Sequence, residues 1–229
     1  MNPDKARTAL VTGASSGIGS AIVDRLVADG WDVIGVSRSL VQGRSDRFRS
    51  LQVDLSDLAA LRRVLSPINE LQAIVHAAGF MHTARLGALN ESDGAAMWAV
   101  HVSAAEALVN QLADRISAGG RIVLIGSRAA GGAPGRSQYA ATKAALVGMA
   151  RSWAAELVTR QITVNIVAPA ATDTPMLVDP NRAATPPKLP PIGRLITPEE
   201  IAGVTAFLLG PHAGAITGQQ IVVCGGSSL

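Results

Sequence analysis

The sequence predicts an α/β protein with a three-layer, doubly wound parallel sheet in a single domain. Short apolar runs alternate along its 229 residues with longer amphipathic segments. The apolar runs are nearly continuous in Val, Ile and Leu, which is typical of parallel strands buried on both faces. The segments between them are long enough to be helices that join parallel strands with a right-handed crossover. These observations indicate a sheet covered by helices on both sides.

The predicted elements alternate in chain order. The strands are short β-branched or leucine-rich runs, and they are Thr8–Thr12, Asp32–Val36, Leu51–Val53, Ala73–His76, Arg121–Ile125, Thr163–Val167 and Gln220–Val223. The helices have apolar positions at helical spacing, and they are Ile18–Ala28, Leu58–Leu65, Ser103–Ile116, Tyr139–Thr159 and Pro198–Leu209.

The segment at about residues 175–197, here named the lid segment, interrupts this alternation. Six prolines fall between Pro175 and Pro191, and proline excludes both a regular helix and a central strand. A loop of this length inside a compact domain is usually functional or mobile. We therefore expect it to cover a substrate site.

Composition excludes several classes of protein. With 48% hydrophobic and 16% charged residues, the chain differs from disordered proteins. Its net charge of +3 comes with scattered arginines and only 3% aromatic residues, which argues against a nucleic-acid partner. No apolar run approaches the roughly 20 residues of a membrane span, and no metal site is expected.

The cysteine content points to a compartment. Cys224 is the only cysteine, so no intrachain disulfide can form, and a reducing environment is expected. The polar residues before the first strand lack the apolar centre of a signal peptide. We therefore expect a cytoplasmic protein.

A glycine-rich turn, residues 13–19, joins the first predicted strand to the first helix. Gly13 allows a sharp turn, Gly17 lets the backbone approach a phosphate, and Gly19 lets helix and sheet pack closely. The helix N-terminus then presents free N–H groups and positive charge to a pyrophosphate. Such turns also occur without ligands, but the place after the first strand favours dinucleotide binding. The predicted contacts are Gly13, Ser15, Ser16, Gly17, Ile18 and Gly19.

The end of the second predicted strand selects the nucleotide. An acidic residue there would accept a hydrogen bond from the ribose 2′-hydroxyl of NAD, whereas this strand continues into Ser37 and Arg38. A guanidinium and a hydroxyl suit a 2′-phosphate. We therefore expect NADP(H), with NAD(H) less favoured, and a solvated surface arginine is the alternative for Arg38.

Three polar residues suggest acid–base chemistry. Tyr139, the only tyrosine, and Lys143 are four residues apart in a predicted helix and so share one face. A lysine ammonium and an oxidised nicotinamide would favour the phenolate of a tyrosine whose ordinary pKa is near 10. Ser127 follows the fifth strand, at the sheet edge where ligands bind. Each residue alone has an ordinary structural explanation.

Together these motifs resemble the short-chain dehydrogenase/reductase family along nearly the whole chain. The similarity rests on the glycine-rich turn and on Val53-Asp-Leu, Ala78-Gly, Ser127, Tyr139-Ala-Ala-Thr-Lys and Val164-Asn-Ile-Val-Ala-Pro. It continues in Pro198-Glu-Glu-Ile-Ala, Thr217-Gly-Gln and Gly225-Gly. It implies one NAD(P)-binding Rossmann domain spanning residues 1–229.

The resemblance also implies roles for these residues. Tyr139 would be the general acid or base, Lys143 would hold the nicotinamide ribose and lower the tyrosine pKa, and Ser127 would position the substrate oxygen. Further cofactor contacts would come from Asp54, Leu55, Ala77, Ala78, Gly79, Pro169, Ala170, Thr172 and Thr174. A homodimer or homotetramer is implied as well.

Four positions depart from the family pattern. Ala77 replaces an asparagine, Ala170 a glycine and Cys224 an aspartate. His101 replaces an asparagine that similar enzymes use to hold a helix bend and a proton-relay water. The histidine would either take part in that relay, as its near-neutral pKa allows, or only fill the space.

We therefore expect an NADP(H)-dependent oxidoreductase that interconverts a small or mid-sized ketone or aldehyde and its alcohol. A non-catalytic NADP(H) sensor or scaffold is the alternative, and the substitutions at Ala77, His101 and Ala170 keep it open. A sugar-nucleotide epimerase or dehydratase is less favoured, because similar enzymes of that kind carry a longer C-terminal substrate region.

Overall fold

The computed structural model describes residues 7–182 and 185–229. Seven parallel strands form one sheet in the order β3-β2-β1-β4-β5-β6-β7. The strands are β1 (Thr8–Thr12), β2 (Asp32–Ser37), β3 (Phe48–Gln52), β4 (Leu71–His76), β5 (Ile116–Ile125), β6 (Thr163–Pro169) and β7 (Gln220–Val223). The prediction of a doubly wound parallel sheet is confirmed.

Within the described residues, six α-helices connect these strands. They are α1 (Gly17–Ala28), α2 (Leu58–Leu65), α3 (Glu91–Trp98), α4 (Ala104–Leu112), α5 (Ser137–Leu157) and α6 (Pro198–Leu209). A π-helical turn, Ala99–Ser103, joins α3 to α4. In the described part of the chain, no helix combines the length and apolar character needed to cross a membrane.

The core lies in two layers because successive strand residues point to opposite faces of the sheet. On β1, Leu10 packs into one layer and Val11 into the other. The layer of Leu10 includes apolar residues of α2, α4 and α5. The layer of Val11 includes those of α1 and α6. Burial on both faces explains why the strands are continuously apolar.

The order of the strands fixes where a ligand can bind. β1 pairs with β2 on one side and with β4 on the other, so the chain winds in opposite directions from this point. A crevice therefore opens beyond the carboxyl ends of β1 and β4. The glycine-rich turn follows β1 at this edge.

Several predicted boundaries were wrong. Helix α3 was missed because Gly94 interrupts it and only Met97 is buried, which leaves little helical periodicity. The segment predicted as one helix over residues 103–116 is divided between several elements. Its first residue ends the π-helical turn, α4 and a 3₁₀ turn follow, and Ile116 is the first residue of β5. β5 starts before the predicted Arg121, because its Gly119-Gly120 pair suggested a loop. β3 starts at Phe48 rather than Leu51.

Candidate active site

A cleft of about 1030 Å³ lies at the carboxyl-terminal edge of the sheet. All the residues predicted to contact a cofactor line it, from Gly13 in the turn after β1 to Thr174 beyond β6. Ser127, Tyr139 and Lys143 line it as well, whereas His101 is buried behind its wall. The structure therefore brings together, in one cavity, residues from the carboxyl ends of strands β1 to β6 and from helix α5.

The glycine-rich turn is shaped by positions that accept no side chain. Gly13 has φ +71° and Gly17 has φ +53°, a region that residues with a Cβ rarely adopt. A Cβ on Gly13 would lie 2.9 Å from the Cα of Ala78, and one on Gly19 would lie 2.2 Å from the oxygen of Gly13. The backbone of this turn is thus held directly against the loop after β4.

The N-terminus of α1 is open to a ligand. Its N-cap residue, Ser16, makes no side-chain capping hydrogen bond. In contrast, Asp57 caps α2, Asn90 caps α3 and Thr197 caps α6. The first N–H groups of a helix have no partner within the helix, so those of α1 remain available to an anion. The turn fits a pyrophosphate.

The opposite end of the cleft lies beyond β2. The hydroxyl of Ser37 donates to the oxygen of Ser39 at 2.7 Å, which fixes the turn at the strand end. The exposed Arg38 forms no salt bridge with any described residue. Hydrogen bonds from the backbone and hydroxyl of Ser56 are the main reason that the pKa of Asp54 is lowered, with a smaller contribution from Arg38.

The three candidate catalytic side chains come from two elements. Ser127 follows β5, and its hydroxyl oxygen accepts from the N–H of Ala129 at 3.1 Å. Tyr139 and Lys143 lie one turn apart on α5 and are 6% and 4% exposed. Lys143 Nζ donates to the oxygen of Ile125 at 2.9 Å, which ties this face of α5 to the end of β5.

Burial dominates the acid–base properties of this group. It lowers the pKa of Lys143 to about 7, because an ammonium loses its hydration. Burial also raises the pKa of Tyr139, while a hydrogen bond with Ser127 and the charges of Arg182 and Arg136 act in the opposite direction. Tyr139 is therefore a protonated phenol at neutral pH. The two arginines were not anticipated from the sequence.

His101 lies in the π-helical turn and is completely buried. Its Nε2 accepts from the N–H of Phe80 at 3.1 Å, and its Nδ1 is 2.8 Å from Thr142 Oγ1. The hydroxyl of Thr142 donates to the oxygen of Tyr139, so its oxygen accepts a hydrogen bond from Nδ1–H of His101. Both ring nitrogens thus have protein partners, and burial holds the pKa of His101 well below its ordinary value.

A second buried histidine, His76, was missed by sequence reasoning. The N–H groups of Ala77 and Ala78 donate to Thr12 Oγ1, so the Thr12 hydroxyl donates to His76 Nδ1 at 3.0 Å. The other ring nitrogen lies 3.1 Å from the oxygen of Val100. Burial lowers the pKa of His76 to about 3. Thr12 and His76 are polar residues that end the neighbouring apolar strands β1 and β4. This pattern in the sequence could have revealed the pair.

The lid segment forms one wall of the cleft. It contains two short 3₁₀ helices, Pro175–Val178 and Pro180–Arg182. The N–H of Thr83 donates to the oxygen of Asn181 at 3.0 Å, and the N–H of Asp173 donates to the oxygen of Ile196 at 2.9 Å. Arg182 is 6% exposed although it lines the cavity. Nothing in the local sequence marks it as buried.

In residues 7–182 and 185–229, no three His, Cys, Asp or Glu side chains come together as a metal site. Besides the carboxylates of Asp54 and Asp179, the polar side chains that line the cleft are hydroxyls, amines and guanidinium groups. These suit anions and carbonyl oxygens.

Residues 13–228 match the family model described as Enoyl-(Acyl carrier protein) reductase. The chain is 35% identical over 238 residues to the 3-oxoacyl-[acyl-carrier-protein] reductase FabG of Escherichia coli, with 96% of each chain covered. It is 33% identical over 240 residues to the FabG of Vibrio harveyi, again with 96% of each chain covered.

A solved structure gives the same result. The blue fluorescent protein from a metagenomic library, solved in complex with NADPH, superposes with a TM-score of 0.85. It is 30% identical in sequence, and the match covers 97% of this chain and 98% of that chain. Fold and sequence similarity therefore extend together over the chain.

Proposed function

This chain belongs to the short-chain dehydrogenase/reductase family, and we propose on that premise that it is an NADP(H)-dependent oxidoreductase of a ketone or aldehyde and its alcohol. The observation that carries this proposal is the placement of Ser127, Tyr139 and Lys143 in the same cleft as the glycine-rich turn. A nucleotide-binding module without turnover has no need for a buried phenol beside a hydroxyl and an amine.

We propose that Tyr139 is the general acid of the reduction. Its raised pKa keeps the phenolic proton in place at neutral pH, so it can donate that proton to the substrate carbonyl oxygen. Ser127 lies within hydrogen-bonding reach of the same phenol and would hold the carbonyl oxygen beside it. In the oxidative direction Tyr139 would accept the proton from the alcohol.

NADPH, when bound, supplies the hydride. The pyrophosphate would lie against the glycine-rich turn and α1, contacting Ser15, Ser16, Gly17 and Ile18. Arg38 and Ser37 would hold the 2′-phosphate, and Lys143 the nicotinamide ribose. The remaining contacts would come from Asp54, Leu55, Ala77, Ala78, Gly79, Pro169, Ala170, Thr172 and Thr174, all of which line the cleft. The unpaired Arg38 and the absence of an acidic residue at the end of β2 support NADP(H) over NAD(H).

For His101 we propose the second of the two expected roles. A relay through this ring needs a nitrogen that exchanges protons with water, and both nitrogens are bonded to Phe80 and Thr142. His101 would then bridge the π-helical turn to the loop after β4 and to α5. It positions Lys143 and Tyr139 and transfers no proton itself.

The alternative of a non-catalytic sensor or scaffold has less support. The two relatives described above are named as reductases, and each match covers 96% of the relative's length. Ala77 and Ala170 both line the cleft, so the substitutions at these positions do not interrupt it. We also propose that residues 1–229 act as one domain, with the lid segment covering the substrate.

We further propose a cytoplasmic location and a homo-oligomeric assembly. The single cysteine fits a reducing compartment. Strand β7 lies at one edge of the sheet and exposes 44% of Val222, and α6 exposes 49% of Phe207. These apolar side chains favour contact with a second copy of the chain, which light scattering after size exclusion would detect.

The decisive experiment follows NADPH consumption with a panel of ketones, aldehydes and quinones, for wild type and Tyr139→Phe. We expect wild-type turnover that falls by roughly 100- to 10,000-fold in the variant, with NADPH binding unchanged in fluorescence titration. Equal turnover in both proteins would remove Tyr139 from the mechanism. Tight NADPH binding with no turnover of any substrate would favour the sensor.

A further inference from the structure

Two arginines face the cleft beside Tyr139, on its lid side. Arg182 ends the second 3₁₀ helix of the lid segment and is 94% buried, with 6% of its surface exposed. Arg136 is the residue before α5 and is partly buried. Both line the cavity, the charge of each acts on Tyr139, and the charge of Arg136 acts on Arg182. The three side chains are therefore close neighbours.

Neutral groups hold both guanidiniums in place. Arg182 Nη1 donates to the oxygen of Met176 at 3.1 Å, and its Nε is buried with no hydrogen-bond partner among the described residues. Arg136 Nε donates to Thr185 Oγ1 at 3.1 Å and its Nη2 to the oxygen of Thr185 at 3.3 Å. In the described part of the chain, neither arginine forms a salt bridge.

This arrangement leaves positive charge uncompensated. Two like charges repel each other, and removing a guanidinium from water is costly unless an anion pairs with it. Asp179 attracts Arg182 electrostatically without forming a salt bridge, and its carboxylate oxygen accepts from the N–H of Asn181. Arg128, which also lines the cleft, adds to the positive charge near Arg136. The cleft is therefore built to receive an anion at this point.

We propose that Arg182 and Arg136 bind an oxyanion carried by the substrate, so that this reductase acts on ketones bearing a carboxylate or a phosphate. The inference rests on the proposed oxidoreductase function and adds the substrate class. Guanidinium groups bind such oxyanions through paired, charge-assisted hydrogen bonds. Because both arginines line the same cavity as Tyr139, one substrate could present its anion to them and its carbonyl to the phenol.

The test compares pairs of ketones that share one carbon skeleton, of which one member carries a negative charge and the other is neutral. The pairs are 4-oxopentanoate with its methyl ester, acetoacetate with its methyl ester, and 4-hydroxybutan-2-one with its phosphate ester. We expect kcat/KM of the wild type with NADPH to favour the anionic member by at least about tenfold. The carboxylate and phosphate pairs distinguish the two kinds of oxyanion.

Variants assign that preference to the arginines. Arg182→Met should lower the ratio of kcat/KM for the anion to kcat/KM for its neutral partner by roughly 10- to 100-fold, mainly through a higher KM for the anion. Arg182→Lys should restore part of the difference because it keeps the charge. Arg85→Met is the matched control, since Arg85 lines the same cleft but is exposed. Measuring both members of a pair on one variant cancels any loss of folded protein.

Three results would overturn the inference. One is equal turnover of anion and ester by wild type, which leaves the oxidoreductase function intact. Another is a preference that Arg182→Met does not change. The third is a loss of NADPH affinity in Arg182→Met with no change in anion preference, which would assign the arginine to the cofactor. If no ketone is turned over, calorimetric binding of 4-oxopentanoate to the NADPH-loaded protein still decides for or against the anion site.

Discussion

The glycine-rich turn and the lid segment both line one cleft, but the chain uses different atoms in each. In the turn, the backbone makes the surface, and positive φ angles at Gly13 and Gly17 shape it. In the lid segment, side chains make the surface, above all the buried Arg182. A surface made of backbone suits the cofactor, which is the same whatever the substrate. A surface made of side chains can be altered one substitution at a time. We therefore expect mutations in the turn to lower both the stability of the fold and the affinity for the cofactor. Mutations in the lid segment should instead change the preference among substrates.

The largest expected effect concerns the backbone of the turn. Gly13→Ala and Gly30→Ala both place a Cβ at positive φ, which costs roughly 1–2 kcal/mol. Only the first also meets a neighbour, because a Cβ on Gly13 would lie 2.9 Å from Ala78 whereas Gly30 has open space. We expect Gly13→Ala to lower the free energy of unfolding by about 1–3 kcal/mol more than Gly30→Ala and to weaken NADPH binding. Urea denaturation and fluorescence titration measure the two effects, and equal effects of the two variants would contradict the proposed close packing.

A smaller effect should come from the one side chain that selects the nucleotide. Arg38→Ala should raise KM for NADPH roughly tenfold, the value of a charge-assisted hydrogen bond to phosphate, and leave KM for NADH unchanged. Arg63→Ala is the control, since Arg63 is an equally exposed arginine on α2 outside the cleft. A parallel rise in KM for both nucleotides would mean that Arg38 does not contact the 2′-phosphate.

The smallest effect concerns the pH dependence of stability, which depends on the two buried histidines, His76 and His101. Burial lowers the pKa of His76 from 6.5 to about 3, so between these values the unfolded chain binds a proton that the folded chain excludes. Stability therefore falls as the pH drops below 6.5, by up to about 1.4 kcal/mol per pH unit for each such histidine. His101 should contribute in the same direction. Urea denaturation at about pH 7 and about pH 5.5 should show a smaller difference for His76→Asn than for wild type, and an unchanged difference would be inconsistent with a neutral buried His76.

The same contrast explains what the sequence could predict. The turn at residues 13–19 and the pair Tyr139 and Lys143 depend on local spacing, so their pattern is visible in the sequence. Arg182 depends on contacts far apart in the chain, such as the hydrogen bond between Thr83 and Asn181. Its burial could not be inferred without the fold. Helix α3 escaped detection for another reason, because a helix with one buried residue and a central Gly94 leaves almost no periodic signal.

His101 contacts two other parts of the chain, so a substitution at any one of these three positions affects the other two. A Cβ on residue 79 would lie 2.9 Å from His101 Nε2, so the imidazole requires a glycine there. An asparagine in its place could reach Thr142 from roughly the position of Nδ1, but it has no atom at the position of Nε2, and the N–H of Phe80 would lose its acceptor. Restoring the asparagine of similar enzymes is therefore not a neutral reversion in this chain. It would open a small polar void next to Lys143, and only water could fill it.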